Sequence, residues 1–580
     1  MMVNKYSLVS ILIFSIFSFK FAHADCSDSM HIEVEDSDFL NYEEIYHYGK
    51  ASGDIHFFTS NDGFNKPVIV VEGLDIKNRI DCYDIVSQLQ AQQPIISELN
   101  AQEKDVVIVD FDNSKRLIEE NGVLLSKIIG IVNDLKEGDH SNAVIGLSMG
   151  GLVSRFALAR YEHYKGSHDV FLFVSYDSPQ KFANLSQTLQ AWLHFGASSA
   201  SDRMELYRTL GSPSVKQMLV TRNLISYDET GTIAIFDAVD YNTKLMDKLA
   251  GFGNYPGKLR KIAFSNGNAQ GEAYDFVSGD PIMIIRGDIG SWSGVTAEAV
   301  GISHYNTFLE CMADMNYVEL EQVTSVPAGC ALTGFYPEAI GENPQLAQVS
   351  FDNAPGSYSY SLVDAVTEVV TNIGYTIENP QPETSFIPTI SALDIDTSDL
   401  FYDIQGDAEI LDKTPFDKLY YPSNGINEEH LELTDEKYDQ LMEEIAQYHR
   451  PKNLDYDKDG ISNGIEISLG SEMLDSDTDG DGMKDGFEYR YSFPFINSKT
   501  DGLDNGTLCS GTNVLNNGTG PGDDADCDTL TNLVEHGWGS NPKSSDSDND
   551  NIGDAEEVAM GRHPAVNEPA MIAIVNGLLI

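Results

Sequence analysis

Basic residues are scarce in this chain. Its 580 residues include 36 lysines and arginines against 91 aspartates and glutamates, which gives a formal net charge of -55. A surface of this sign repels the phosphate backbone of DNA and RNA, so the composition argues against a nucleic-acid partner. Part of the excess is local, because residues 451–580 hold 25 acidic and 7 basic residues. Carboxylates concentrated at regular spacing favour cation binding.

Long apolar runs are also rare. Beyond the N-terminus, no stretch of the sequence is long and apolar enough to predict a transmembrane helix. The N-terminus itself has the parts of a secretory signal: Lys5, an apolar run over residues 9–19, and the small-residue site Ala22-His23-Ala24. We expect a signal peptide over residues 1–24 and a mature protein that is secreted, cell-surface or periplasmic. The alternative is an uncleaved anchor, for which the apolar run is short.

Cysteine is limited to six residues, all beyond the signal. No two of them form the Cys-x-x-Cys pair that is typical of a metal site. An even number in an exported chain favours disulfides. Nearness in sequence predicts three pairs: Cys311–Cys330, Cys509–Cys527 and, from the remaining two, Cys26–Cys82.

Five apolar runs alternate with amphipathic stretches between about residues 66 and 268. The runs lie at 68–71, 106–109, 144–147, 170–174 and 261–267. Strands that are apolar throughout are typical of a parallel sheet covered by helices on both faces, so the predicted fold class is α/β. Sites in such sheets lie at the carboxyl ends of the strands, where Gly73, Ser148 and Asp177 fall. The predicted divisions are 1–24, 25–450 with an insertion or cap at about 270–384, 451–567, and a tail at 568–580.

One of these runs ends in Gly146-Leu147-Ser148-Met149-Gly150, and an amphipathic stretch follows at once. A serine between two glycines at a strand-to-helix turn can be held in a strained backbone with its hydroxyl exposed. Ser148 is therefore the candidate nucleophile. The alternative is a structural Gly-Ser turn, since the five-residue motif alone is weak.

The motif and its flanks carry a family resemblance. Residues 144–158, with the sequence VIGLSMGGLVSRFAL, resemble the nucleophile elbow and following helix of lipase-like α/β-hydrolases. The similar group includes the inositol-deacylase-like and triacylglycerol-lipase-like serine esterases, and the resemblance covers about residues 66–434. Asp177-Ser178-Pro179-Gln180 resembles the Asp-x-Pro-His turn of that group, with Gln180 in place of histidine. The resemblance implies an α/β-hydrolase fold, an ester or lipid substrate and no catalytic cofactor.

The resemblance also implies where the partners of the serine lie. One oxyanion donor is the N–H of Met149, the residue after the nucleophile. The other comes from the loop after the first apolar strand, where Glu72-Gly73-Leu74 stands for the family's His-Gly-hydrophobic sequence, so we assign the N–H of Leu74. The family order is serine, acid, histidine, and His430 lies between the last core-like segment and a final helix. The alternative for His430 is a surface histidine in an acidic loop.

The acid departs from the family pattern. The segment 386–394 resembles the family's acid loop, but the expected Asp and Gly positions hold Thr384 and Ser385. The available carboxylates nearby are Asp394 and Asp417. We take Asp394 as the candidate acid and leave Asp417 as the alternative.

Four twelve-residue loops repeat in the acidic C-terminal region, in two pairs at an offset of 22 residues. Alternating carboxylates, a backbone carbonyl at position seven and a final glutamate are the oxygen ligands that Ca²⁺ takes. The predicted ligands are Asp455, Asp457, Asp459, Ile461, Asn463, Glu466; Asp477, Asp479, Asp481, Met483, Asp485, Glu488; Asp524, Asp526, Asp528, Leu530, Asn532, Glu535; Asp546, Asp548, Asp550, Ile552, Asp554 and Glu557. The repeats resemble thrombospondin type 3 or dockerin-like modules, which implies structural Ca²⁺. The alternative is a disordered acidic tail.

The sixth position of such a loop needs an unusual backbone angle. Gly460 and Gly482 suit it, Asn551 tolerates it, and Thr529 suits it poorly. We therefore expect the third loop to bind Ca²⁺ more weakly than the others.

Together these features predict a secreted serine hydrolase of lipase or carboxylesterase type. The calcium repeats are expected to stabilise the protein or to dock it on a cell surface or matrix. The alternative function is a calcium-dependent surface or adhesion protein whose hydrolase-like domain is a non-catalytic scaffold.

Overall fold

The structure is a computed structural model of the whole chain. It describes residues 26–35, 38, 49–75, 81–185, 209, 211–219, 225–227, 233–235, 239–275, 281–288, 296–302, 308–312, 351–360, 376–378, 383–448, 452–469, 471, 473–493, 509 and 518–567. None of the helices in these stretches is long and apolar enough to cross a membrane.

The described strands comprise one large sheet and three smaller sheets. In chain order they are β1 (Ser29–Glu33), β2 (Ser52–Phe58), β3 (Pro67–Val71), β4 (Asp105–Phe111), β5 (Asn142–Leu147), β6 (Val170–Tyr176), β7 (Ile225–Tyr227), β8 (Ile233–Ile235), β9 (Arg260–Phe264), β10 (Pro281–Asp288), β11 (Thr296–Ile302), β12 (Phe308–Met312), β13 (Gly356–Ser357), β14 (Thr376–Glu378), β15 (Ile387–Pro388) and β16 (Lys418–Tyr420).

The described helices fall into two groups, those around the large sheet and four short ones in the acidic loops. In chain order they are α1 (Cys82–Gln92), α2 (Ile95–Ala101), α3 (Ile118–Leu135), α4 (Met149–Lys165), α5 (Pro213–Met218), α6 (Val239–Gly251), α7 (Thr389–Ala392), α8 (Asp435–Tyr448), α9 (Asn463–Leu469), α10 (Asp485–Tyr491), α11 (Asn532–Trp538) and α12 (Asp554–Met560).

The large sheet is mostly parallel. Its strand order is β1-β2-β4-β3-β5-β6-β9-β16, with β2 antiparallel to both of its neighbours and the strands from β4 to β16 parallel. In the centre, Ile69 of β3 pairs with Val107 of β4 and Val144 of β5. Every residue of β3 and β6 is buried, as expected for strands covered on both faces. The prediction of an α/β class with a mostly parallel sheet is confirmed.

The two faces of the sheet have separate apolar cores, because successive side chains of a strand point to opposite faces. On β3, Ile69 belongs to the core that includes residues of α3 and α4. Val70 belongs to the core that includes residues of α1, α2 and α8. The second core also takes in Ile467 of α9 and the nearby Met473, so the first acidic loop pair is attached to this face of the sheet.

Two of the three predicted disulfides are confirmed. Cys26 is bonded to Cys82 at the start of α1, across 56 residues. Cys509 is bonded to Cys527, across 18 residues. The pair Cys311–Cys330 cannot be placed, because Cys330 lies outside the described residues.

The predicted insertion holds a sheet of its own. Its strands have the order β12-β11-β10-β14 and pair antiparallel throughout. The polypeptide returns to the large sheet with β16, which pairs with β9 in parallel register. The segment between β16 and α8, residues 421–434, therefore leaves the sheet at its carboxyl edge.

Candidate active site and acidic loops

Ser148 lies at the sharp turn between β5 and α4. Its backbone has φ 51° and ψ -124°, a conformation that L-residues rarely adopt and that a nucleophile elbow requires. A Cβ at position 146 would collide with the backbone of Gly151, and one at position 150 would collide with the carbonyl of Glu72. The two glycines of the motif therefore allow α4 to approach β5 and the loop after β3.

His430 is the hydrogen-bond partner of this serine. Its Nε2 lies 2.8 Å from Ser148 Oγ, and its Nδ1 lies 2.7 Å from Asp177 Oδ2. The His430 N–H donates to the carbonyl of Tyr358 at 2.7 Å, and the ring of Phe386 packs edge-on against the imidazole at 5.0 Å between centroids. The backbone and ring contacts fix the imidazole between the hydroxyl and the carboxylate. With the proton on Nδ1, Nε2 is free to accept the hydroxyl proton.

Asp177 follows directly after β6 and is fully buried. Its N–H donates to the carbonyl of Phe264 at 2.8 Å, and its Oδ1 accepts from the N–H of Asn266 at 3.0 Å. One carboxylate oxygen is thus held by the end of β9, and the other faces His430. This geometry is that of a carboxylate that orients an imidazole.

The structure does not bring Asp394, the predicted acid, to His430. Its Oδ2 accepts from Tyr255 Oη at 2.7 Å and lies 3.5 Å from Arg155 Nη1. The alternative Asp417 also lies elsewhere, at the start of β9, where it accepts from the N–H of Lys261 at 2.6 Å. The sequence did contain a signal for Asp177, because this residue ends an apolar strand at the same edge as Ser148.

The loop after β3 runs beside Ser148. A Cβ built on Gly73 would lie 3.2 Å from Ser148 Cβ, so the backbone of this loop is adjacent to the serine. Glu72 and Asp75 tie the loop to the end of β4: Glu72 Oε1 accepts from the N–H of Phe111 at 2.6 Å, and the N–H of Asp75 donates to Ser114 Oγ at 2.9 Å. Leu74 follows Gly73 within this anchored loop, and Met149 opens α4 directly after Ser148.

Burial and the nearby charge of Asp110 raise the pKa of Glu72 well above its ordinary value of 4.5. Because the folded protein holds this proton and the unfolded chain releases it, the stability contributed by Glu72 falls as pH rises above about 4.5. In Glu72→Gln the glutamine carbonyl can still accept from the N–H of Phe111, but the side chain no longer titrates. Between pH 5 and pH 8 we therefore expect the melting temperature of the variant to fall less than that of the wild type. Parallel pH profiles of the two melting temperatures would contradict this.

The four acidic loops share one backbone pattern. In each loop the N–H of the sixth residue donates to the first aspartate, at 2.9 to 3.1 Å. The sixth residue has positive φ in all four: 108° at Gly460, 101° at Gly482, 92° at Thr529 and 73° at Asn551. The unusual angle expected at this position is confirmed.

The carboxylates of these loops fit a cation. The Oδ2 atoms at positions three and five of every loop are buried and accept no hydrogen bond, as is also true of both oxygens of Glu466. Burial and neighbouring aspartates raise the pKa of Glu466 and of Glu535 to about 9. A buried carboxylate without a donor needs a positive charge, and Ca²⁺ takes such oxygen ligands.

The side chains at position nine of the second, third and fourth loops accept hydrogen bonds from the loop backbone. Asp485 accepts from the N–H of Thr478 at 2.8 Å, and Asp554 accepts from the N–H of Ser547 at 2.7 Å. Asn532 accepts from the N–H of Ala525 at 3.3 Å, again from position two of its own loop. Each of these side chains therefore links position nine to the backbone of position two within its own loop. At position seven, Ile461, Met483, Leu530 and Ile552 donate their N–H groups to the aspartate at position five.

Thr529 is the strained member of the sixth positions. A β-branched residue at positive φ costs about 1–3 kcal/mol, whereas glycine adopts this angle freely. We expect Thr529→Gly to raise the free energy of unfolding of the loop region by about 1 kcal/mol. Chemical denaturation followed by tryptophan fluorescence in protein that keeps Trp538 as its single tryptophan, with Asn551→Gly as the milder control, measures the change. A decrease in stability would contradict the assignment of strain.

Comparison with known proteins assigns neither a family nor an activity to this chain. No protein-family model matches the chain, and no curated protein matches it. Solved structures that are similar in part include a lipase of Bacillus licheniformis in its propeptide form, at 16% identity over 39% of this chain and 41% of that one, with a TM-score of 0.24. An esterase of Pyrobaculum calidifontis is 12% identical over 42% and 68%, with a TM-score of 0.24. Est1E of Butyrivibrio proteoclasticus is 8% identical over 41% and 77%, with a TM-score of 0.23.

These likenesses are too weak to assign an activity. The match spans less than half the length of the Bacillus licheniformis lipase.

Proposed function

We propose that the protein is a secreted serine hydrolase with an α/β-hydrolase fold that cleaves carboxylic esters through an acyl-enzyme on Ser148. The observation that supports this most directly is the continuous chain of two hydrogen bonds from Ser148 through His430 to Asp177, at 2.8 and 2.7 Å. The strained backbone of Ser148 and the loop beside it add independent support.

In the proposed reaction, Ser148 Oγ attacks the ester carbonyl carbon while His430 Nε2 takes the hydroxyl proton. The carbonyl oxygen becomes an oxyanion, which the N–H groups of Met149 and Leu74 stabilise. Asp177 keeps the proton on Nδ1 and stabilises the imidazolium. His430 then gives its proton to the oxygen of the departing alcohol. The acyl group stays bonded to Ser148 Oγ.

Water completes the cycle. His430 Nε2 takes a proton from a water molecule, whose oxygen attacks the acyl carbon, and the second tetrahedral intermediate collapses as the proton passes to Ser148 Oγ. The carboxylic acid leaves and the enzyme returns to its starting state. Every proton is carried by His430, so catalysis requires no cofactor.

The acidic loops are proposed to hold structural Ca²⁺. The carboxylates at positions one, three and five of each loop, with the glutamate at position twelve, would supply the ligands, and the buried oxygens without donors support this role. The proposed role is to stabilise the module or to dock it on a surface.

A serine-directed fluorophosphonate probe tests the enzymatic proposal. We expect a covalent adduct on the Ser148 peptide by mass spectrometry in calcium-replete protein, and its loss in Ser148→Ala. Ser154, buried one turn into α4, provides a control through Ser154→Ala, which should still be labelled. No adduct in folded wild type would instead favour a calcium-dependent adhesion protein with a non-catalytic scaffold.

A further inference from the structure

A cavity of about 720 Å³ extends from His430 into the core on the α1 and α8 side of the sheet. Its inner wall includes Val70 of β3 and Ile145 of β5, and its outer wall includes Leu89 of α1 and Leu441 of α8. The volume lies within the range of small-molecule sites, roughly 300–1,000 Å³. Away from the mouth the walls are mostly aliphatic, with Gln88 of α1 and Tyr176 of β6 among them. A largely aliphatic cavity that begins at the proposed general base is suited to the hydrocarbon part of a substrate.

The mouth of the cavity has a different chemistry. Glu429 and Glu432 flank His430 in the lining, together with Tyr358 and Tyr360. Tyr360 Oη donates to Glu383 Oε1 at 3.0 Å, which places a third carboxylate close to the opening. No lysine or arginine is among the described residues that line the cavity. The nearby Lys437, whose charge acts on Glu432, is buried and paired with Glu428.

We propose that this cavity binds the hydrocarbon chain of an uncharged ester and that Glu429 and Glu432 exclude anionic substrates. The inference rests on the proposed hydrolase function. An anion at the mouth would lose hydration and meet like charges in a partly buried setting, whereas a neutral ester would lose little there. The walls would add binding energy for each methylene that leaves water.

Two substrate series test the chain site on the full calcium-replete protein. One holds the leaving group constant in 4-nitrophenyl esters from acetate to decanoate, and the other holds the acyl group constant in acetates of ethanol to decanol. We expect kcat/KM to rise about fourfold per methylene in one series until the cavity is filled. The series that rises identifies whether the acyl or the alcohol chain is bound.

Substitutions in α1 provide a matched pair. Leu89→Trp, which fills the cavity from its partly buried wall, should lower the ratio of kcat/KM for the long and short substrates about tenfold or more. Ser87→Trp introduces the same side chain on the exposed side of this helix and should leave that ratio within about twofold of the wild type. Circular dichroism and melting temperature show that both variants are folded.

Substitution of the two glutamates tests the charge filter. For the wild type we expect kcat/KM for 4-nitrophenyl hemisuccinate to lie at least about tenfold below that for 4-nitrophenyl pentanoate, and the gap to narrow with added salt. The double variant Glu429→Gln and Glu432→Gln should reduce the gap to about twofold, since glutamine keeps the hydrogen-bond acceptor that Glu432 offers to the N–H of Glu429.

The outcomes separate the two proposals. The substrate inference would be overturned if kcat/KM did not change with chain length in either series, or if the double variant left the ratio of kcat/KM for pentanoate and hemisuccinate unchanged. In both cases acetate turnover and the Ser148 adduct would still support a hydrolase. No turnover of any ester together with no adduct would overturn both.

Discussion

Replacing Asp177 by asparagine is expected to lower kcat for a carboxylic ester about ten-thousandfold. Asparagine would present an amide N–H to His430 Nδ1, which favours the tautomer with its proton on Nε2. That tautomer cannot accept the proton of Ser148. Because the site of Asp177 is fully buried and held by Asn266, the amide can keep the position of the carboxylate without keeping its charge.

The matched control is Asp394→Asn. This carboxylate lies 3.5 Å from Arg155 and bonds to Tyr255, so its loss should lower the melting temperature and leave kcat within about tenfold of the wild type. Steady-state kinetics on one short ester, with the Ser148 probe to count active sites, measures both variants. If Asp394→Asn were the inactive variant and Asp177→Asn the active one, the assignment of the acid to Asp177 would fail.

Removal of calcium is expected to unfold the acidic loops. Without a cation, the buried carboxylates of each loop repel one another and lack donors, so α9 to α12 should lose their helical signal. At a free Ca²⁺ concentration a hundred times the dissociation constant, each site adds about 2.7 kcal/mol to the free energy of unfolding. Far-UV circular dichroism and calorimetry before and after chelation, followed by Ca²⁺ or Mg²⁺ addition, measure the effect.

The first loop pair should also affect the hydrolase domain. Ile467 and Met473 share a core with Leu441 of α8, so unfolding of this pair exposes apolar surface beneath the helix that follows His430. Asp459→Asn should therefore lower the melting temperature of the large domain, whereas Glu409→Gln, an exposed acid elsewhere, should not. Identical melting curves and spectra with and without chelator would exclude structural calcium.

Local pattern determined much of this protein. Apolar runs specified the central strands, because strands buried on both faces must be apolar throughout. The glycines around Ser148 specified its turn, because a Cβ at either position would collide with neighbouring backbone. The spacing of aspartates specified four loops, and the positive φ at all four sixth positions follows from the same tight turn. Each of these features depends on residues close together in the sequence.

Only the tertiary structure determined which carboxylate forms a hydrogen bond with His430. Asp177 and His430 are 253 residues apart, and no local spacing connects them. They meet because β5 and β6 are parallel neighbours whose carboxyl ends lie at one edge, where the segment after β16 also emerges. The same packing places Asp394 beside Arg155, away from His430. It also leaves a largely aliphatic cavity next to His430. Sequence identified Ser148 as the proposed nucleophile, and the order of strands in the sheet selected the residues that contact it through His430.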